Sequence, residues 1–306
     1  MHVACQKNIA YYSSRVGVVL NTNRRIQTFY QSHKLKISCI AKHPTDRIIA
    51  TGEVNVQPLV HVWDADTMET LVVLRTAHKG GVLHLTFSTD GRKLISIGMD
   101  RTFSIEIFRW RQARSIAFRN TGYYPIFGIR FNPYDDSCFF TCGYQHLAEW
   151  RIKGSHLTCA KFVNIYNTSV PPAGGEGINN VPVSDSEQKQ YFMNQKNILT
   201  CIDFISFRQG HSIQSDVVFG NNLGDISTYC NSKYFVLFEQ AHPGVPINCI
   251  RVTNALSLDR KSCMVVTGGE DGLVKIWNAS IQLKQMIDLR QSVDIQDLKN
   301  IKSYGI

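Results

Sequence analysis

GGEDGLVKIWN, Gly268 to Asn278, is the stretch on which the reading of this chain turns. An apolar run, Cys263–Thr267, leads into it. A tight turn at Gly269–Gly272 then feeds an alternating strand that ends in Trp277. Ala241-His242 lies upstream, and weaker copies of the whole pattern recur back to His33. Recurrence at roughly forty to forty-five residues is the mark of a repeat architecture, in which each repeat is one small supersecondary unit. Within such a repeat, Glu270 and Asp271 read as turn chemistry rather than as an acid–base pair.

Working outward, the segments read as strands far more readily than as helices. Short runs rich in Val, Ile, Phe, Tyr and Thr are separated by Gly, Asn, Asp and Pro turns. IAYYS, VGVVLN, ISCIA, LVHVW, LHLTF, FGIRF, LTCIDF, INCIRV and LVKIW are examples. Only QDLKNIK near the end has a modest helical pattern. Five units of four strands follow from aligning the runs, beginning at His33, at His78, near FGIRF, at ILTCIDF and at His242. HPTDRIIATG, STDGRKLISIG and NPYDDSCFFTCG share one core, a polar β-turn followed by a buried strand ending at Gly.

Ahead of His33 the sequence offers three strands, so residues 1–32 are expected to form a partial first blade. Residues 33–290 hold the blades, interrupted by a long loop at about 164–195, and 291–306 are a tail or the start of a further blade. The interruption carries Pro171, Pro172, Gly174, Gly175, Gly177 and Pro182, a composition that resists regular structure. Two readings stay open for the ends. Either the tail completes a six-bladed ring, or the chain is part of a longer array, which unpaired edges favour.

The composition is that of an ordinary globular chain: 306 residues, 43% hydrophobic, 19% charged and net charge +9. No apolar run reaches the roughly 20 residues of a membrane helix. MHVACQKN lacks the basic and apolar regions of a signal peptide. The nine cysteines are scattered singly, and Cys39, Cys201, Cys249 and Cys263 sit in apolar runs as small buried hydrophobes. This implies a reducing compartment.

No phosphate loop, HExxH or GxSxG pattern occurs, and most of the ten histidines fall at repeat starts or turns. The expectation is therefore no enzyme, no cofactor and no metal. One constellation has partner value: Arg109, Arg111, Arg114 and Arg119, interleaved with Phe108, Trp110 and Phe118. Alternate residues share one face of a strand, so these arginines are expected to form a stripe for an acidic surface. RNA, with the aromatics stacking on bases, is the weaker alternative.

The repeats resemble WD40 repeats, which implies an all-β chain, a WD40 β-propeller of about five to six four-stranded blades. In the best copy His242, Thr267, Asp271 and Trp277 stand at the family's hydrogen-bonded tetrad. A turn carboxylate accepts from the His ring, the ring meets a hydroxyl, and the indole N–H closes the chain. The first copy keeps His33, Thr51 and Trp63 but has Gln57 at the turn-Asp place. The next keeps His78, Ser96 and Asp100 with Phe108 at the Trp place; Trp150 and Tyr229 are the remnants of two more. A generic adaptor such as a ubiquitin-ligase receptor is disfavoured, because no Arg stands two residues after Trp63-Asp64 or Trp277-Asn278.

HKLKISCIAKHPTDRIIATGEV with PLVHVWDADTMETL, continued by FNPYDDSCFFTCGYQHLAEW, is similar to the first propeller of the echinoderm microtubule-associated protein-like family. The resemblance covers nearly the whole chain. It implies a non-catalytic scaffold that binds tubulin or microtubules and other proteins, without membrane or nucleic acid. It also implies a place in the cytoplasm on the cytoskeleton, including cilium or spindle.

Overall fold

The computed structural model describes residues 3–5, 8–122, 124–144, 146–164, 198–209, 212–230, 233–252, 263–278 and 283–288. Every sheet has four antiparallel strands in sequence order, six sheets in all among the described residues. These are propeller blades. Strands β1(Val3–Cys5), β2(Asn8–Ser13), β3(Val16–Asn21) and β4(Ile26–Tyr30) make the first. The second has β5(Ile37–Lys42), β6(Ile48–Glu53), β7(Leu59–Asp64) and β8(Thr70–Arg75). β9(Val82–Phe87), β10(Leu94–Gly98), β11(Ile105–Arg109) and β12(Arg114–Arg119) follow, with a short 3-10 turn at Trp110–Gln112. The fourth comprises β13(Ile126–Asn132), β14(Asp135–Gly143), β15(His146–Lys153) and β16(His156–Asn164). β17(Leu199–Gln209), β18(Ser212–Asn221), β19(Ile226–Cys230) and β20(Lys233–Phe238) form the fifth, and β21(Ile247–Val252), β22(Met264–Gly269), β23(Leu273–Asn278) and β24(Leu283–Asp288) the sixth.

The first sheet therefore has four strands, where the sequence suggested three. Val3–Cys5 pairs with Asn8–Ser13 over three residues, too few to give an alternating signal. The interruption near 164–195, the QDLKNIK helix candidate and the tail from 291 lie outside the described residues.

The third-to-fourth-strand hairpins show why polar clusters punctuate the sequence. In the second sheet Asp64 Oδ1 accepts from the N–H groups of Asp66 (2.8 Å) and Thr67 (3.0 Å), and Met68 takes φ 61°. Asn21 does the same for Asn23 and Arg24 in the first sheet, ahead of Arg25 at φ 55°. A side chain that caps its own turn fixes the hairpin at low cost.

Two compact units emerge, one of Met1–Thr141 with Ala148–Lys161, the other of Cys142–Leu147 with Phe162–Ile306. In the first unit each sheet buries a face against the next. Ala10, Val19 and Tyr30 pack on Ile40, Ile49 and Trp63. Ala50, Val60 and Val62 pack on Leu85, Phe87 and Phe108, and Ile95, Ile107 and Ala117 on Ile129, Phe139 and Trp150. The second unit repeats this, with Ile205, Val218 and Ile226 against Ile250, Val265 and Trp277.

One joint recurs in both units. Ser38 Oγ donates to Gly52 O (3.1 Å) and Val82 O (2.5 Å), reaching the inner strand of the next sheet. Thr200 Oγ1 likewise donates to Gly220 O and to Ile247 O. A Cβ added to Gly52 would stand 2.7 Å from Val82, and one on Gly220 2.8 Å from Ile247, so glycine is what lets the sheets approach. Cys39 and Cys201 fill the same corners. Cys249 sits at the matching place in β21 yet is exposed, contrary to its apolar sequence context. In its own unit no further described sheet follows to cover it.

A second joint links the turns of the second and third sheets. The buried His43 ring bonds Gly91 O through Nε2 (3.1 Å), and Asp46 N–H donates to its Nδ1 (3.0 Å). Trp110 Nε1 donates to the same carbonyl at 2.7 Å. Gly91 has φ +69°, and a Cβ there would fall 2.0 Å from His43 Nε2. Gly91→Ala should therefore cost about 2–4 kcal/mol, from left-handed strain plus a clash with a fixed ring. Gly154 shares the positive φ (+60°) but has nothing within 4 Å, so Gly154→Ala should cost only the backbone part, about 1 kcal/mol. Urea denaturation of both variants checks the difference.

Candidate functional site

The motif that opens the sequence forms a buried chain of hydrogen bonds in the sixth sheet. Trp277 Nε1 donates to Thr267 Oγ1 at 2.9 Å, and Thr267 Oγ1 meets His242 Nε2 at 2.8 Å. His242 Nδ1 lies 2.9 Å from Asp271 Oδ2. The carboxylate accepts, so Nδ1 carries the proton and the threonine hydroxyl donates to Nε2. Leu273 N–H also donates to Asp271, at 3.0 Å, so one side chain serves both the turn and the ring. Burial pushes the Asp271 carboxyl up, but the Leu273 and His242 bonds outweigh it and hold it below its ordinary value. His242 is lowered, burial outweighing its bond to Asp271.

The second sheet builds the same chain with one substitution. His33 Nε2 meets Thr51 Oγ1 at 2.7 Å, and Trp63 Nε1 donates to that oxygen at 3.1 Å. The ring's Nδ1 faces Glu53 Oε2 at 3.2 Å. Gln57, at the turn position, is exposed, and Glu53 at the end of β6 supplies the missing carboxylate. Its other oxygen accepts from Leu59 N–H at 3.3 Å. The sequence reading missed Glu53, for which an acid closing the strand Ile48–Glu53 is the one signal that could have found it.

His61 extends this network. Its ring stacks on His33 at 3.9 Å and 25°, and its Nδ1 bonds the Tyr30 hydroxyl at 2.9 Å. Tyr30 in turn stacks on Trp63 at 4.5 Å and 3°. Ligand atoms of His33, Glu53 and His61 all fall within 4.8 Å of one another, so among the described residues these three are the group whose spacing could hold a metal. Both His33 nitrogens already have partners, and near-parallel rings hold their lone pairs in stacked planes rather than aiming them at one point. The arrangement suits a packed hydrogen-bond network better. Burial pushes both imidazoles down to about 4, and His61 is lowered further by the neighbouring His33 against the opposing pull of Glu53.

In the third sheet His78 Nε2 meets Ser96 Oγ at 2.7 Å, but its Nδ1 meets Ser104 Oγ, also at 2.7 Å. Ser104 passes the chain on to Asp100, whose own carboxylate is 3.8 Å from the ring. Phe108 is buried and has no donor for Ser96. The fourth sheet keeps only the bond from Trp150 Nε1 to Thr141 Oγ1, at 2.9 Å, and Tyr229 is buried in the fifth.

The arginines divide. Arg109 and Arg114 are exposed register partners at the β11–β12 edge. Arg111 pairs with Asp46 at 3.0 Å and lies 4.3 Å over Trp110. Arg119 donates to Leu157 O at 2.9 Å and lies 5.8 Å from the Trp150 ring, which anchors it to the fourth sheet. Phe108 and Trp110 are buried, and only Phe118 of the interleaved aromatics is exposed. A base-stacking row is thus not formed. Burial pushes the Cys39, Cys138 and Cys201 thiols up to about 12, far from a reactive thiolate. No helix among the described residues is long and apolar enough to cross a membrane.

The profile of the echinoderm microtubule-associated protein first beta-propeller matches residues 26–302. Echinoderm microtubule-associated protein-like 4 of Mus musculus is 30% identical over 161 residues, 49% of this chain and 16% of that protein. Echinoderm microtubule-associated protein-like 1 of Homo sapiens is 28% identical over 158 residues, covering 48% and 19%. The Rattus norvegicus protein-like 1 is 23% identical over 285 residues, covering 89% and 30%. The chain thus spans at most about a third of the length of these curated relatives.

Two outcomes follow from the buried chains. Asp271→Ala leaves the His242 N–H without its acceptor and should lower stability by about 1–3 kcal/mol, read from thermal or urea melts. Acid should also destabilise the fold. His33, His61 and His78 stay neutral to about pH 4 when folded, against 6.5 as their ordinary value. The unfolded chain therefore takes up more protons between these values, and stability falls as pH drops through that window. The urea midpoint should decline from pH 7 to 5, and His61→Phe should make the decline shallower.

Proposed function

Because the chain belongs to the echinoderm microtubule-associated protein first-propeller family, we propose that it is a non-catalytic scaffold that associates with microtubules on the cytoskeleton. The observation that carries this reading is the family match across 26–302. Its histidines and hydroxyls in the blade joints are buried and bonded to one another, with Asp271, Glu53 and Asp100 closing the chains, an arrangement suited to holding blades together. A net charge of +9 favours association with an acidic surface such as tubulin's. The exposed pair Arg109 and Arg114 is the part of the arginine stripe best placed for it, since Arg111 and Arg119 already have protein partners.

Co-sedimentation of the full-length protein with stabilised microtubules tests this. Binding should weaken as salt rises, and Arg109→Glu with Arg114→Glu should cut the bound fraction several-fold. Failure to pellet at low salt sinks the microtubule reading. Unchanged binding by the charge-reversed protein removes the arginine pair from it.

A further inference from the structure

Another surface lies at the opposite ends of the strands from the Asp64–Met68 hairpin. There one backbone hydrogen bond joins the second sheet to the first, and two more close the turns of the second and third sheets on themselves. Ile37 N–H donates to Ser14 O (2.8 Å), Val54 N–H to Lys36 O (2.9 Å) and Met99 N–H to Gly81 O (2.9 Å). Gly81 brings the turns into contact: a Cβ there would lie 2.7 Å from Met99 Sδ and 3.2 Å from Val54 Cα. The surface is therefore one continuous, braced platform within the first unit.

Its side chains are of two kinds. Leu35, Val54, Val56 and Met99 are 41%, 38%, 77% and 36% exposed, gathered on neighbouring turns. Around them stand the exposed Arg15, Lys34, Lys36, Lys79 and Arg101. The acidic residues nearby are withdrawn. Glu53 is buried against His33, and Asp100 is taken up by Ser104 and Thr102. Among the described residues these turns thus expose apolar groups together with charged side chains that are all cationic. A solvated loop gains nothing from an exposed Val-x-Val tip, whereas a patch of apolar groups rimmed by charge is the make-up of a docking surface.

We propose that this platform docks an acidic protein segment carrying apolar side chains. Carboxylates would meet the Lys and Arg rim while aliphatic or aromatic groups cover Val56, Leu35 and Met99. The rim's single sign excludes a basic segment, and the apolar centre distinguishes such a partner from a plain polyanion. The site is separate from the Arg109–Arg114 pair and stands or falls independently of the microtubule reading.

Fluorescence anisotropy with the full-length protein and a short labelled peptide of repeated Glu-Glu-Leu tests it. The peptide should bind, an all-Glu peptide should bind at least about tenfold more weakly, and a Lys-Lys-Leu peptide should not bind. Val56→Asp and Lys36→Glu, both at exposed positions, should each weaken binding about tenfold with unchanged melts, while Arg109→Glu with Arg114→Glu leaves it intact. Absence of binding overturns the proposal. So does equal affinity for the all-Glu peptide or equal competition by poly(U) RNA, either of which would mean charge alone is being read.

Discussion

A single threonine hydroxyl sets the order of each well-formed blade. Thr267 and Thr51 each accept from an indole and face an imidazole, and both are fully buried. A hydroxyl has one proton, so accepting from Trp obliges it to donate to His, and the ring must then carry its own proton on the far nitrogen. That proton needs an acceptor, because a buried N–H without one costs about 1–3 kcal/mol. The second, third and fourth members of the chain are thus dictated by the first. What is left free is where the terminal carboxylate comes from.

The three sheets use that freedom differently. Asp271 comes from the turn, Glu53 from the end of the strand, and Asp100 acts through Ser104. All deliver an acceptor to the same ring nitrogen. Between sheets the constraint is steric instead. Ser38 and Thr200 bond a carbonyl of the next inner strand, which requires Gly52 and Gly220 to let it in. Networks inside a sheet and glycine contacts between sheets are separate devices, so one can erode while the other persists. The fourth sheet shows how far the network can erode, keeping Trp150 on Thr141 and the Phe139–Trp150 stack with no histidine in the hydrogen-bonded chain.

This division explains what the sequence disclosed. The strands were legible because alternation and Asx-capped turns are local, and Val3–Cys5 was missed because three residues carry no period. The His242–Thr267–Asp271–Trp277 set was legible because all four groups sit at their usual offsets. Glu53 and Ser104 were not, since a longer side chain or an interposed hydroxyl reaches the same nitrogen from another position. Non-local facts were invisible in the same way. Arg119 reads as a free surface charge until Leu157 O arrives from another sheet, and Cys249 reads as buried like Cys39 although no described sheet of its unit covers it.

Moving the carboxylate has an outward effect as well. With Glu53 inside the strand satisfying both His33 and Leu59 N–H, the Val54–Pro58 turn no longer has to provide an acid. Its tip is then free to be Val56, at 77% exposure, in a turn that Val54 N–H ties to Lys36 O. In the sixth sheet the corresponding turn holds Glu270 and Asp271, two acids where the second sheet's turn has none. The relocation of one buried charge thus creates a turn surface without negative charge in the second sheet. A blade's interior, once its hydrogen bonds are closed, determines which of its turns is available to meet a partner.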